Sequence, residues 1–314
     1  MQRFHIKFLL LAIASFQFFA CENVIDLPTD DEPELFVFSN FSDQNSLQVF
    51  VSKSRSIQSD SPKEFVNNAT VNVYAGGKLI EQLTYFSGDS SSNEIPYYQS
   101  LNLVPEFDKE YTIEVIVDGF ETITATNSIP TPVNIEDVSF TPQLSSGKGH
   151  QVVVNFVASV SLRDPLGIEN YYHLKFYQEL VPYTVVAPED TLKSAPYYVY
   201  PTSVEKVDPA NISLIKYSND QSYLLKDTYF DGKYITLNFK GKFTFDETES
   251  KPERFMIELR TVSKAYYLYH ESLNWQIQEN GNPGEGDVVF NNIDNGVGNF
   301  SGFASKYNTF KLTD

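Results

Sequence analysis

Cysteine occurs once in the 314 residues and tryptophan once, while histidine occurs four times. A lone thiol permits no internal disulfide. The histidines beyond the first twenty residues, His150, His173 and His270, are far apart and in no metal-ligand spacing, so they read as structural or solvated. No Gly-x-Ser-x-Gly elbow, phosphate-cradling glycine loop or His-Glu-x-x-His helix occurs. The expectation is a protein that is not an enzyme and carries no cofactor or metal. Positive charge is also scarce, with 23 Lys and Arg against 41 Asp and Glu, a net charge of −18. Such a chain repels phosphate backbones, which excludes nucleic acid as a partner, and gains nothing electrostatically from an anionic leaflet.

What is present begins at the N-terminus. Arg3 and Lys7 flank the apolar run from Phe8 to Phe19, which ends in Ala20 and Cys21. About a dozen apolar residues cannot cross ~30 Å of hydrocarbon as a helix. Residues 1–20 read instead as a secretory signal. Phe18-Phe19-Ala20-Cys21 looks like a bacterial lipobox, in which the cysteine thiol takes a diacylglycerol and becomes the new N-terminus. An ordinary signal with a chance cysteine beside the cut, or a small apolar thiol in a core, is the alternative. At ~0.8 kcal/mol per buried methylene, two or three acyl chains at Cys21 hold a protein on a bilayer permanently. Cleavage removes two cations and no acid, leaving a net charge of −20. Residues 21–34 are acidic and bracketed by prolines, a solvated spacer. In bacteria of the Bacteroidetes type, acids soon after a lipidated cysteine accompany export to the cell surface, so display there is expected.

Aromatic content of 15%, mostly Phe and Tyr, goes with valine and threonine toward β-structure. Leu35 to Phe41 opens the first folded unit. Leu47, Val49 and Val51, then Ala69, Val71, Val73 and Ala75, alternate with polar or outward residues, the period of a half-buried strand. Gly76-Gly77 predicts a hairpin into Leu79–Phe86, and Asp118-Gly119 one between Tyr111–Val117 and Phe120–Thr126. Pro130 and Pro132 mark a boundary. Beyond it, Val152, Val154, Phe156 and Ala158 alternate, and Asp164-Pro-Leu-Gly167 turns into Asn170–Phe176. Residues 181–217 predict an ordered insertion or a partner-facing loop. Asp231-Gly232 predicts a hairpin between Leu224–Phe230 and Tyr234–Phe239, and Phe255–Arg260 is a further strand. Ser263 predicts an N-cap for one helix near 264–278, carrying Tyr266, Tyr269, Leu273 and Ile277 on one stripe and stopped by Asn280-Gly281. The expected fold is mainly β in two domains. The first, 35–129, is an immunoglobulin-like or transthyretin-like β-sandwich; the second, 135–314, is a larger β-rich domain with that helix.

Tyr197, Tyr198 and Tyr200 are candidate ligand or partner contacts, because aromatic faces stack on sugars and anchor interfaces; tyrosines alternating on a strand pack on neighbours equally well. Asp190-Thr191-Leu192 matches the short O-glycosylation pattern of Bacteroidetes surface proteins, which makes Thr191 a candidate acceptor. Asp164 with Glu169, and Asp227 with Asp231, are the carboxylate pairs a hydrolase would need, but acids beside turn signals are common for backbone reasons. Asp287–Asp294 and Asp246-Glu247 do not follow the alternating ligand loop of an EF-hand, and read as solvated acids.

Cys21-Glu-Asn-Val-Ile-Asp26, Asn68-Ala-Thr-Val-Asn-Val73, Asn170-Tyr-Tyr172, Asp227–Gly232 and above all Asn291-Asn-Ile-Asp-Asn-Gly-Val-Gly-Asn-Phe300 resemble the Bacteroidetes lipoproteins of the domain-of-unknown-function 4249 family. The resemblance covers nearly the whole mature chain. It implies an outer-membrane lipoprotein, often encoded beside a TonB-dependent transporter barrel, with no assigned catalytic residue. The resulting expectation is a non-catalytic accessory to such a barrel, acting by protein or ligand binding. A surface glycan- or peptide-binding module is the first alternative and a carboxylate hydrolase the second.

Overall fold

The computed structural model describes residues 33–54, 62–89, 94–187, 190–207, 212–278 and 288–311, with only the backbone described for 185–187, 190 and 191. Strands β1 to β8 are Leu35–Ser42, Gln48–Lys53, Thr70–Ala75, Lys78–Gln82, Thr84–Phe86, Tyr97–Gln99, Glu110–Ile116 and Ile123–Ser128. Strands β9 to β13 are Ile135–Ser146, Gln151–Arg163, Tyr171–Ala187, Asp190–Lys193 and Tyr197–Val199. Strands β14 to β18 are Ser203–Lys206, Leu214–Tyr217, Ser222–Lys226, Tyr234–Asp246 and Ser250–Val262; helix α1, Lys264–Gln278, and β19, Val297–Lys311, follow. The expected signal segment, Cys21, nearly all of the spacer, Asn280-Gly281 and Asp287 lie outside the described residues.

Among the described residues the strands form three sheets: β4-β3-β7-β8, β14-β17-β10-β9, and an 11-stranded sheet in the order β15-β16-β11-β18-β19-β1-β2-β6-β5, with β12 and β13 on β11. Alternation decides which side chains are buried. Tyr111, Ile113 and Val115 of β7 are fully buried between the outward Thr112 and Glu114. With Val37, Val49, Val71 and Phe300 they fill the first core. The second core is aromatic, with Phe156, Phe176, Phe239 and Phe255 buried together, and Phe140 stacked on Phe255 at 3.8 Å between centroids. Each such ring contributes about 1.5–3 kcal/mol by leaving water. The first core ends at Ile129 in this part of the chain and the second begins at Val133. Strand β19 serves both, through Phe300 and Ala304 in the first and Phe310 against the second.

Most strands fall where the alternation puts them. Three connections differ. Leu79–Phe86 does not return as one strand: β4 pairs with β3, but β5 crosses to pair with β6 in the large sheet. The Asp118-Gly119 turn holds, yet pairing resumes only at Ile123. Leu224–Phe230 and Tyr234–Phe239 do not form a hairpin. Strand β16 pairs with β11 and β17 with β10, so Asp231-Gly232 turns a corner between two sheets, after a single 3₁₀ turn at Asp227–Tyr229. The described part of 181–217 is ordered, mostly as strands.

Helix α1 starts where Ser263 Oγ accepts the Tyr266 N–H at 3.3 Å. Ala265, Tyr266, Tyr267 and Tyr269 are buried, while Ile277 is 42% exposed, so the apolar stripe ends sooner than expected.

Candidate binding face on the large sheet

Strand β11 carries Tyr172, Leu174 and Phe176 into the second core. Period-2 alternation therefore places His173, Lys175, Tyr177 and Glu179 on the opposite face. They pair across to Arg260, Glu258, Met256 and Arg254 of β18, and β19 sets Ser305 and Tyr307 opposite Arg260 and Glu258. Polar and charged groups thus occupy one face of three neighbouring strands.

Helix α1 closes one end of that face. Tyr266 Oη accepts from Arg260 at 3.2 Å and lies 2.9 Å from His173 Nδ1; His173 Nε2 lies 2.6 Å from Ser222 Oγ, which bonds to Asp220. Asp220 accepts the Ser222 hydroxyl, so Ser222 accepts from His173 Nε2–H; with the imidazole held neutral, Nδ1 accepts from Tyr266 Oη. Lys175 closes the chain on Asp220 at 2.7 Å. Glu258 is fully buried and accepts from Arg260 at 2.7 Å, Tyr177 at 2.6 Å, Ser305 at 2.5 Å and Tyr307 at 2.9 Å. Burial would raise its carboxyl, but Arg260 and these donors outweigh that and hold its pKa below the usual value. Burial, with Lys175 and Arg260 nearby, drives His173 well below its ordinary value, and brings His270 down to about 3. His270 stands 6.1 Å from His173 between ring centroids and accepts from Asn40 at 3.2 Å.

Serine, histidine and aspartate meet here without forming a hydrolytic triad. Asp220 bonds the serine rather than orienting the imidazole, and Ser222 is buried beside the buried His173.

A pH dependence follows. The unfolded chain protonates its histidines below about pH 6.5. Folded His270 resists until about 3, so from 6.5 down to 3 the unfolded state binds more protons and stability falls with pH. By pH 5 the loss expected for one such imidazole is on the order of 2 kcal/mol. Urea midpoints at pH 7.5 and 5.0 check it: His270→Phe should lose less between the two than the parent chain, and equal losses would show that His270 is not buried neutral.

The other end of the face is open. Tyr198 and Tyr200 are 51% and 49% exposed, and Tyr307 is 46% exposed. Tyr198 Oη donates to Glu179 at 3.1 Å, and Arg254 forks onto the same carboxylate at 2.5 and 2.8 Å. Tyr200 packs on Tyr177 at 5.5 Å between centroids. Of the three tyrosines singled out in the sequence, Tyr198 and Tyr200 join this platform. Tyr197, paired with Leu180, points to the side of Val199 and stays exposed away from it. Thr191 lies in β12, and its side chain is outside the described residues.

The carboxylates go elsewhere. Asp164, Asp227 and Asp231 bring oxygens within 4.8 Å of one another at the corner between sheets. Each accepts from backbone: Asp164 from Gly232, Asp227 from Asn170 and Asp231 from Gly167, and Asp164 also binds Tyr172 Oη. Burial raises Asp227. Glu169 instead pairs with Lys226 at 2.7 Å, which lowers its pKa to about 2. Asp246 caps its own turn through Thr248 at 2.8 Å, and Asp294 bonds Thr124 at 3.2 Å.

A family model described as "Domain of unknown function (DUF4249)" matches residues 22–309. The chain belongs to that family. No curated protein matches this DUF4249 chain. Among solved structures, the B domain of a biofilm-associated protein is similar at 8% identity and a TM-score of 0.18, covering 87% of this chain and 85% of that one. A collagen adhesin from S. aureus is similar at 7% identity and 0.20, covering 88% and 93%. At scores this low neither transfers a fold or an activity to this DUF4249 member.

Proposed function

We propose that the protein is a non-catalytic lipoprotein, tethered by Cys21 to the outer membrane of a Bacteroidetes-type cell and displayed at its surface, accessory to a TonB-dependent transporter or other barrel. It acts by binding, through the tyrosine platform. The observation that carries this reading is the platform itself, in which exposed aromatic side chains stand on a rigid sheet with charges paired beneath them. Two further points support it. The buried Ser222–His173 contact has no open side, and the corner aspartates are engaged by backbone donors. A net charge of −20 after cleavage makes a lipid the better means of holding the chain at a membrane.

The test is purification from the native host in mild detergent through the intact lipid anchor. A stoichiometric outer-membrane barrel is expected to come with it, and Cys21→Ser should release the protein from membranes washed in high salt. Recovery without a barrel, or a Cys21→Ser protein that stays membrane-bound, would overturn the reading.

A further inference from the structure

Three of the platform's four phenols are already committed, and Tyr200 is held through its ring, against Tyr177. Tyr177 and Tyr307 donate to Glu258, and Tyr198 donates to Glu179. What remains open to a ligand is the exposed part of the Tyr198, Tyr200 and Tyr307 rings, on the face that also carries Met256, opposite Tyr177. Charge is equally settled: Lys175 pairs with Asp220, Arg254 with Glu179 and Arg260 with Glu258, at 2.7, 2.5 and 2.7 Å. Lys311, exposed opposite Arg254, stands at the edge of this face, but beside the rings a charged ligand would have to compete with these pairs and forfeit its hydration. The buried Lys175 lies 5.9 Å from the Tyr177 centroid and 5.5 Å from that of Tyr200, so a cationic ligand laid on those rings would meet a like charge.

We propose that the platform takes a neutral pyranose chain, which lays the C–H faces of its sugars on Tyr198, Tyr200 and Tyr307. The negative face of an aromatic ring attracts the weakly positive C–H bonds of a sugar and leaves the sugar hydroxyls to water. The platform crosses β13, β11, β18 and β19, three strand spacings of ~4.8 Å, so it is about 14 Å wide and suits an extended chain better than a single sugar. This inference rests on reading the protein as a binding module and names what that module holds.

The experiment uses the mature protein in detergent, titrated calorimetrically with soluble xylan, mannan and mixed-linkage β-glucan, and with polygalacturonate and heparin as charged probes. At least one neutral polymer is expected to bind. Tyr198→Ala and Tyr200→Ala should each weaken it about tenfold or more, while Tyr200→Phe, which keeps the ring, should stay within about twofold. Thermal melts establish that the variants are folded. Binding of no neutral polymer, preference for a charged one, capture of a peptide alone, or alanine variants that bind as well as the parent would each overturn the inference. A barrel that co-purifies while no polysaccharide binds leaves the accessory reading standing and removes this one. Polysaccharide binding with no barrel does the reverse.

Discussion

Glu258→Ala is expected to destabilise the fold by about 3–5 kcal/mol, because it strands a buried guanidinium. Arg260 reaches the Glu258 carboxylate at 2.7 Å with its side chain 18% exposed; it also donates to the Tyr266 hydroxyl and lies over the Phe303 ring at 4.3 Å, and neither of these carries a negative charge. The same substitution leaves Tyr177, Ser305 and Tyr307 without their acceptor. Removing both charges is a different matter. Glu258→Met with Arg260→Met should recover the part of the loss that comes from the stranded charge, while the three hydroxyls still lack their acceptor. Urea midpoints separate the cases. A Glu258→Ala protein within about 1 kcal/mol of the parent would mean that this carboxylate does not organise the cluster.

Gly298→Ala should be comparably damaging for a backbone reason. Gly298 sits opposite Val37 where β19 pairs in parallel with β1, at φ +133°, and a Cβ there would lie 1.9 Å from the Val37 carbonyl oxygen. Strain at that dihedral and the clash together should cost roughly 3–5 kcal/mol. The clash falls where β19 and β1 join the two ends of the chain. Gly149→Ala, at φ +66° but with nothing within 4 Å, is the control and should cost about 1 kcal/mol. Equal effects at the two positions would show that the β1–β19 contact is looser than described.

The strands whose one face is buried were readable because alternation is a local signal, as in β2, β3, β7 and β10. Helix α1 was readable from its cap. The parallel pairing of β1 with β19 was not, since nothing local to residues 35–42 points to residues 297–303. Asp231-Gly232 misled for a related reason: a tight turn specifies a reversal, and not whether the next strand rejoins the same sheet. The site was half legible. Tyr198 and Tyr200 stood out by composition, but His173, Lys175 and Glu258 occupy alternate positions that look solvent-facing. They are buried because α1 and the segments carrying Tyr200 and Asp220 lie over them, coverage that strand period cannot report.

Side-chain oxidation by hydroxyl radicals, measured on the protein in native outer membranes and again after extraction from all partners, tests the binding face most directly. Shielding in the membrane is expected at Tyr198, Tyr200, Met256 and Tyr307, with Tyr229, 61% exposed beside the aspartate corner, equally reactive in both states. Equal reactivity across the platform, or shielding at Tyr229 instead, would contradict the assignment of that face as the place where this protein works.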